Sequence, residues 1–277
     1  MGDAEQPVDT QGRAAIAPGI SSATGRLPML LLPGTLCDER LFAPLLARLP
    51  ARAVTVPRIT GARQAWTFAE RVIAAAPQRF ALLGFSLGGI IALEIAAAVP
   101  ERVAGLALLG SNARPLDDKV RVDRRESAQS GMKRGLGAFV HDTLWASYVA
   151  PNALRNAALQ TLIVDMAEET RPAEFEAQLE IALTRGDARA RLGALTMPSL
   201  VLAGEKDAIC PPFMQSEMAD ALPDATLALV PNAGHFVLLE APGRVAIEVA
   251  AWLDRVDRNA GPIFRANSST TLSKELP

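Results

Sequence analysis

Six short, largely apolar runs separated by helical patterns limit the fold of this 277-residue chain more than any other feature of its sequence. The runs are apolar at nearly every position rather than at every second position. Strands that are buried on both faces require this pattern, and such strands occur in parallel sheets. The sequence therefore predicts six buried parallel strands, at residues 29–32, 53–56, 80–83, 103–109, 199–203 and 226–230.

The segments between these runs show the 3.6-residue apolar period of amphipathic helices. One predicted helix is almost wholly apolar over residues 90–97, as a helix packed under a sheet should be. Repeated strand–helix–strand units place helices on both faces of a parallel sheet, so the predicted fold class is α/β with a doubly wound, mostly parallel sheet. The first and last predicted helices carry the apolar faces Leu41, Leu45, Leu46 and Leu49, and Val245, Ile247, Val249, Ala250 and Leu253.

One long segment interrupts this alternation, because it contains helical patterns broken at Pro151 and Pro172 but no convincing strand. The sequence predicts a helical lid here, inserted before the penultimate strand and covering the carboxyl edge of the sheet, where ligands bind in open α/β sheets. Both chain ends lack sustained periodicity. The expected organisation is a disordered leader at 1–26, a core at 27–111 and 196–257, the lid at 112–195 and a flexible tail at 258–277.

Composition argues against several classes of protein. The formal net charge of −2 gives no reason to expect nucleic acid as a partner. No apolar run reaches the ~18 residues that span a bilayer, and the N-terminus lacks the basic and apolar regions of a secretory signal, so a cytoplasmic location is expected. The two cysteines, Cys37 and Cys210, cannot form a disulfide framework and lack metal-site spacing, so they are expected to be reduced and buried.

The segment from Gly84 to Gly89, Gly-Phe-Ser-Leu-Gly-Gly, fits the pattern G-x-S-x-G between a predicted strand and a predicted helix. A turn this sharp holds Ser86 in a strained backbone conformation and requires small neighbours, which Gly84 and Gly88 supply. The turn lifts the hydroxyl to a helix N-terminus, where developing negative charge is favoured. A dinucleotide fingerprint or a phosphate-binding P-loop would need a different glycine spacing or a Gly-Lys-Ser/Thr sequence.

A serine is a weak nucleophile unless a base and an orienting acid accompany it. His235 follows the last predicted strand and Asp207 follows the penultimate one, so both are expected at the same sheet edge as Ser86. The chain order Ser, Asp, His is the order of α/β-hydrolases. His141, in the predicted lid, and Glu205, nearer the strand end, are the competing base and acid.

A tetrahedral intermediate also needs hydrogen-bond donors for its oxyanion, and fixed backbone amides serve this purpose. The amide of Leu87, directly after the serine, is the first predicted donor. The second is expected from the loop after the first strand, where Thr35 is preferred over Leu36. An ordinary strand-to-helix turn would leave the same sequence pattern in this loop.

These motifs resemble the α/β-hydrolase superfamily over residues 27–256. The resemblance rests on Gly-Phe-Ser-Leu-Gly-Gly, on the aspartate in Gly-Glu-Lys-Asp with Pro211 and Pro212 downstream, and on Gly-His-Phe. Within the superfamily, the chain is similar to carboxylesterases that cleave pimeloyl-carrier-protein methyl ester and to enol-lactonases. The oxyanion loop departs from the family pattern, with Pro33-Gly34 in place of His-Gly, and the sheet is expected to have fewer than eight strands because no N-terminal hairpin is recognisable.

The resemblance implies a serine esterase that acts through Ser86, His235 and Asp207, with no metal and no organic cofactor. A modest acyl ester is the expected small-molecule substrate, in a largely apolar pocket. Thioester, lactone or carbon–carbon bond hydrolysis, acyl transfer, and a hydrolase fold without turnover remain alternatives. The expected pocket residues are Leu36, Phe85, Ile209, Phe236 and Val237 beside the triad, and Phe139, Trp145 and Tyr148 from the lid.

A basic segment opens the predicted lid, with six cationic side chains within 16 residues. Such a segment could dock an acidic carrier protein. Four acidic residues are interleaved with the cations, and a solvated, salt-bridged helix face explains that pattern equally well. The cations are Lys119, Arg121, Arg124, Arg125, Lys133 and Arg134, and the acids are Asp117, Asp118, Asp123 and Glu126.

Overall fold

The structure is a computed structural model that describes residues 26–260. The expectations of a disordered leader and a flexible tail therefore concern residues that lie outside the described range, apart from the few at its two ends. At the carboxyl end, the last helix continues to Asn259, two residues beyond the expected core boundary at 257.

The sheet contains six strands, all parallel, in the order β2-β1-β3-β4-β5-β6. All six predicted strands are present, with ends that differ from the predicted ones by no more than two residues, and the mostly parallel α/β fold class is confirmed. Within the described range the sheet has fewer than eight strands, as expected. The strands are β1 (Met29–Leu32), β2 (Val54–Thr55), β3 (Phe80–Phe85), β4 (Val103–Leu109), β5 (Ser199–Gly204) and β6 (Ala225–Val230).

The helices follow the strands on both faces of the sheet. A π-helical turn at Val140–Leu144 joins α5 to α6, and short 3-10 helices occupy Glu39–Leu41 and Pro151–Ala153. The α-helices are α1 (Ala43–Leu46), α2 (Ala65–Ala75), α3 (Leu87–Ala98), α4 (Asp118–Arg134), α5 (Leu136–Phe139), α6 (Trp145–Tyr148), α7 (Ala157–Glu168), α8 (Pro172–Thr184), α9 (Arg189–Leu192), α10 (Pro212–Ala221), α11 (Val237–Glu240) and α12 (Pro242–Asn259).

The central strands are apolar throughout because alternate side chains enter two different cores. In β1, Met29 and Leu31 pack with α12, whereas Leu30 and Leu32 pack in the core that contains residues of α2 and α3. Each of these side chains is almost fully buried, and burying one stabilises the fold by about 1.5–3 kcal/mol. The sheet is therefore a rigid layer held from both sides, and its carboxyl edge is a fixed platform.

The first connection differs from the expected helix with a continuous leucine face. It consists of one 3-10 turn and the four-residue α1, although Leu41 and Leu45 are buried as expected. Pro44 lies in the first turn of α1, and Pro50 follows its end. Because the residue before a proline disfavours the α conformation, a longer helix cannot continue through this segment.

The helical insertion (residues 112–195) contains α4–α9 and no strand. Pro151 and Pro172 each begin a helix rather than interrupt one, which suits a residue without an amide hydrogen. Apolar side chains of the insertion, including Phe139 and Phe175, share a core with Leu36 and Phe85 near the carboxyl edge of the sheet. Among the helices of the described chain, none is both long and apolar enough to cross a bilayer.

Candidate active site

Ser86 lies in the sharp turn between β3 and α3, with φ 52° and ψ −113°. This conformation is strained for a residue with a side chain, and surrounding contacts must enforce it. A Cβ atom on Gly84 would lie 2.4 Å from the Gly88 carbonyl oxygen, and one on Gly88 would lie 2.0 Å from the carbonyl oxygen of Leu32. Both positions therefore admit only glycine, and the close packing they permit holds the serine in place.

The carboxyl end of β4 and the residues directly after it also hold this turn in place. The Ser86 amide donates to the Leu109 carbonyl at 2.9 Å, and the Ser111 hydroxyl donates to the Ser86 carbonyl at 2.9 Å. Gly110, between them, has φ 52°, and a Cβ there would lie 3.4 Å from both Asp207 Oδ2 and His235 Nδ1. The end of β4 therefore holds the backbone of Ser86 and lies beside the side chains of Asp207 and His235.

The side chains of Ser86, His235 and Asp207 are hydrogen-bonded in series. His235 Nε2 lies 3.0 Å from Ser86 Oγ, and His235 Nδ1 lies 2.8 Å from Asp207 Oδ2. His235 and Asp207 are each only 3% exposed, so water competes little with these bonds. Because a carboxylate only accepts, Nδ1 carries the proton of the neutral ring, and Nε2 accepts from the serine hydroxyl.

The competing base and acid lie elsewhere. His141 is exposed in the insertion, where its Nδ1 lies 2.8 Å from Asp142 Oδ1. Glu205 is also exposed, although it is only two residues from Asp207. Neither side chain has a hydrogen bond to Ser86 or His235 within residues 26–260.

The orientation of Asp207 is fixed by the loop that follows it. Its Oδ1 accepts from the backbone amides of Ile209 and Cys210, both at 2.8 Å, so only Oδ2 remains for His235. The His235 ring lies among aromatic side chains, with the rings of Phe85 and Tyr148 centred 5.1 and 6.3 Å away. This packing limits rotation of the imidazole.

Glu240 connects the loop that carries His235 to the insertion. Its carboxylate accepts from the Gly234 amide at 3.0 Å and from the Ala150 amide at 2.8 Å. A Cβ on Gly234 would lie 2.4 Å from the Ala150 nitrogen, so the two segments pack backbone to backbone. Burial raises the pKa of Glu240 above its usual range, while the two amide hydrogen bonds act in the opposite direction.

The loop after β1 lies directly against Ser86. A Cβ on Gly34 would be 3.4 Å from the Ser86 Cβ. Thr35 follows Gly34, and Leu87 is the first residue of α3. Within the part of the chain that is described, neither backbone amide has a hydrogen-bond partner. Both are therefore available to an oxygen atom bound at Ser86.

The neighbouring Leu36 amide is already engaged. It donates to Gln178 Oε1 at 2.9 Å, and Gln178 Nε2 donates to the Ile59 carbonyl at 3.2 Å. Gln178 is a buried residue of α8 in the insertion, and Leu36 has the positive φ of 59° that is unusual for a branched side chain. One side chain of the insertion thus holds the loop in a strained conformation and favours Thr35 over Leu36 as the donor.

Two cavities meet at Ser86. The first, of about 270 Å³, is mainly apolar, and the second, of about 330 Å³, contains four arginines. Six of the expected pocket residues line the apolar cavity, together with Phe175, Leu144 and Leu179 from the insertion: they are Leu36, Phe85, Phe139, Tyr148, Ile209 and Phe236.

The other two expected pocket residues, Val237 and Trp145, line neither cavity in the described structure. Val237 begins α11 and is fully buried in the core, so its proximity to His235 in sequence does not bring it to the site. The Trp145 indole NH donates to the Leu154 carbonyl at 3.1 Å, and the ring packs within the insertion.

Both cysteines are buried, and Cys210 lines the arginine-containing cavity at Ser86 whereas Cys37 lines neither cavity in the described structure. The Cys210 thiol accepts from Asn112 Nδ2 at 3.4 Å, and burial raises its pKa to about 12. Burial also raises the pKa of Cys37. Neither thiol is therefore a reactive thiolate. Among residues 26–260, no group of three or more His, Cys, Asp or Glu side chains could hold a metal ion.

Sequence reasoning did not identify several residues that the structure places at the site. Gly110 and Ser111 carry a usable signal, because they follow a predicted strand at the same sheet edge. Gln178, Glu240 and Arg185 carry none, since a polar residue on a helix looks the same whether it faces solvent or a neighbouring loop.

Comparisons with known proteins agree with this architecture. Residues 72–242 match the family model described as alpha/beta hydrolase fold. The chain is 31% identical over 250 residues to the pimeloyl-[acyl-carrier protein] methyl ester esterase of Aromatoleum aromaticum, a match that covers 80% of this chain and 96% of the relative.

Solved structures show the same likeness. An esterase from Thermogutta terrifontis, solved with malate bound, superposes with a TM-score of 0.72 and 26% identity over 83% of this chain and 90% of that one. The enol-lactonase from Burkholderia xenovorans LB400 superposes with a TM-score of 0.74 over 84% and 93% of the two chains. At 21% identity, the second likeness concerns the fold alone.

Proposed function

The chain belongs to the α/β-hydrolase fold family, and on that premise we propose that it hydrolyses a carboxylic ester through an acyl-enzyme on Ser86. The observation that carries the proposal is the hydrogen-bonded series from Ser86 Oγ through His235 to Asp207, at 3.0 and 2.8 Å. Two unpartnered amides beside the same hydroxyl add the electrostatic component that acyl transfer requires.

In the acylation step, Ser86 Oγ attacks the ester carbonyl carbon while His235 Nε2 takes the hydroxyl proton. The carbonyl oxygen becomes an oxyanion, to which the amides of Thr35 and Leu87 donate. Asp207 accepts a hydrogen bond from Nδ1–H of the imidazolium and stabilises its charge, while the proton stays on Nδ1. His235 then protonates the leaving oxygen, the carbon–oxygen bond breaks, and an alcohol departs.

Deacylation repeats these steps with water as the nucleophile. His235 takes a proton from the water, and the second tetrahedral intermediate collapses to release the acid and restore the Ser86 hydroxyl. The helical insertion supplies much of the apolar cavity wall, including Phe139 and Phe175, and we assign it the role of a lid over this chemistry.

Gln178 is expected to act as a positioning residue for the oxyanion loop. The Gln178→Ala variant leaves the Leu36 amide and the Ile59 carbonyl without partners, so unfolding free energy should fall by about 1–3 kcal/mol. We also expect kcat to fall about tenfold because the Thr35 amide loses its fixed position. Steady-state kinetics and urea unfolding measure the two effects.

The Gln178→Glu variant separates the two roles. Glutamate can still accept from the Leu36 amide but cannot donate to Ile59, so kcat should recover more than stability does. Glu176→Gln, an exposed change on the same helix, is the matched control. A Gln178→Ala enzyme that is less stable but keeps its full kcat would assign Gln178 a structural role only.

The leaving group is a separate question, because the triad serves thioester, lactone and carbon–carbon bond hydrolysis and acyl transfer equally well. The curated relative from Aromatoleum aromaticum is named as an esterase of a carrier-linked methyl ester. For this chain we therefore also propose that the acyl group of the substrate is carried by an acidic carrier protein. In the basic segment, Arg121 and Arg125 are paired with Asp118 and Glu180. The other four cations, Lys119, Arg124, Lys133 and Arg134, have no acidic partner among the described residues.

A substrate panel tests the proposed function. It compares methyl esters, thioesters, lactones and β-diketones of matched acyl size, with one methyl ester also supplied on an acyl carrier protein. Esters should give the highest kcat/KM, and the carrier-linked ester should exceed its free counterpart if the basic segment docks a carrier. Faster cleavage of thioesters or diketones would change the reaction class, and no turnover across the panel would favour a binding protein with a hydrolase fold.

A further inference from the structure

The larger of the two cavities at Ser86 is unusual in its charge. Its wall contains four arginines, and it reaches Ser86, Thr35 and Leu87; the arginines are Arg114, Arg124, Arg185 and Arg189. An ester bound at Ser86 therefore has an apolar cavity on one side and a cationic cavity on the other. The mechanism proposed above requires neither the charge nor these arginines.

Two of the four arginines are neutralised within the protein. Arg114 donates from Nε and Nη2 to Glu217 at 2.7 and 2.9 Å. Arg189 pairs with Asp187 and lies 3.5 Å from the same Glu217. The positive charges of these two arginines are therefore balanced by carboxylates of the protein, and they need no bound anion.

Arg185 is not neutralised. Its Nε donates to the Arg114 carbonyl and its Nη1 to the Ala182 carbonyl, both at 2.9 Å, and these bonds fix the plane of the guanidinium. No carboxylate within the described range forms an ion pair with it. Burial, together with the nearby charge of Arg124, lowers the pKa of Arg185 to about 10. An arginine stays charged at this pKa, and a partly buried cation without a counterion is unfavourable.

Arg124 is the second arginine in the wall of this cavity that forms no ion pair with an acid among residues 26–260. It lies on α4 at the boundary of the two cavities, because it lines both. Arg124 is exposed, so its guanidinium is reachable from solvent at the place where the two cavities adjoin. Two arginines without an acidic partner therefore line the same cavity as the nucleophile.

The one acid in the wall of this cavity is Asp117, which is exposed at the start of α4 and makes no side-chain hydrogen bond there. It does not pair with Arg124 or Arg185. We propose that Arg124 and Arg185 form an anion subsite that binds a carboxylate on the substrate, so that the preferred ester is a half-ester of a dicarboxylic acid. This inference rests on the proposed esterase function and specifies its substrate.

A matched pair of substrates tests the subsite. The monomethyl esters of succinate, glutarate and adipate are each compared with the neutral methyl ester of equal chain length. The wild-type kcat/KM should favour the best half-ester at least about tenfold over its neutral match, as expected for a hydrogen-bonded charge pair. The Arg124→Gln variant should reduce this ratio about tenfold, and Arg124→Lys should restore part of it.

Three further variants provide controls. Arg155→Gln removes the same charge from an exposed residue of the insertion that lines neither cavity, and it should leave the ratio unchanged. Asp117→Asn removes the only acid of the cavity wall and should raise the ratio. Arg185→Gln should lower the ratio. If Arg185→Gln does not fold, the Arg124→Gln variant still tests the subsite, because Arg124 is exposed and its replacement should not affect folding.

The outcomes separate the subsite from the esterase proposal. Equal kcat/KM for a half-ester and its neutral match would overturn the subsite and leave the esterase intact. If no ester is cleaved, isothermal titration calorimetry of Ser86→Ala with succinate tests the subsite instead. Succinate binding that becomes weaker when Arg124→Gln is added to this variant would support the subsite. Absence of succinate binding would overturn it. Inorganic phosphate is the second ligand in that titration, and tighter binding of phosphate than of succinate would overturn the carboxylate assignment.

Discussion

The Ser86→Ala variant is expected to lose ester hydrolysis by a factor of about 10⁵ or more, because the substitution removes the only atom that can form the acyl-enzyme. The fold should be unaffected. The Ser86 hydroxyl makes no hydrogen bond in the described structure other than that with His235, and the strained turn is maintained by Gly84 and Gly88. Steady-state kinetics on the best ester of the panel measures the loss.

A fluorophosphonate probe gives an independent readout that does not require the natural substrate. The wild-type protein should be labelled on Ser86, and Ser86→Ala should not be labelled. The Ser111→Ala variant is the control and should still be labelled, since the Ser111 hydroxyl donates to the Ser86 carbonyl and not to the Ser86 hydroxyl. Equal labelling of wild type and Ser86→Ala would remove Ser86 from the mechanism.

The Asp207→Asn variant is expected to lower kcat by about 10⁴, through the tautomer of His235 rather than through its position. Oδ1 of Asp207 accepts from the amides of Ile209 and Cys210, so an asparagine will place its carbonyl oxygen there. Its NH₂ group must then face His235 Nδ1. The imidazole can satisfy this donor only by moving its proton to Nε2, and Nε2 then cannot accept the proton of Ser86.

Glu205→Gln is the matched control for this prediction, because it removes a carboxylate from the same turn without touching His235. It should retain nearly full kcat, and both variants should unfold at similar urea concentrations. NMR of the imidazole NH protons measures the tautomer directly. An Asp207→Asn enzyme whose ring proton stays on Nδ1 would contradict the mechanism, as would a large loss of kcat in Glu205→Gln.

The hydrogen bonds of Gln178 and Glu240 connect the catalytic machinery to the helical insertion. Gln178 holds the loop that presents Thr35, and Glu240 connects the loop that presents His235 to Ala150. A displacement of the insertion would therefore disturb the oxyanion donors and the base together. We therefore expect the insertion to position these groups in addition to its proposed role as a lid.

The strands and the three polar residues of the series could be predicted from the sequence because their signals are local. An unbroken apolar run is required wherever a strand is buried on both faces. A polar residue directly after such a run must emerge at the carboxyl edge of the sheet. Since parallel strands share that edge, Ser86, Asp207 and His235 were expected to meet whatever the details of packing.

Tertiary structure alone decided which side chains of the insertion face the site. Gln178 meets the Leu36 amide across 142 positions of sequence, and Arg185 meets the Arg114 carbonyl across 71. Successive residues on a helix point about 100° apart, so a small rotation of α8 would exchange a buried partner for a solvated one. Val237 and Trp145 illustrate the same limit. Val237 is near His235 in sequence and Trp145 lies in the insertion, yet packing directs both side chains into the core, because side-chain direction depends on contacts that no local pattern encodes.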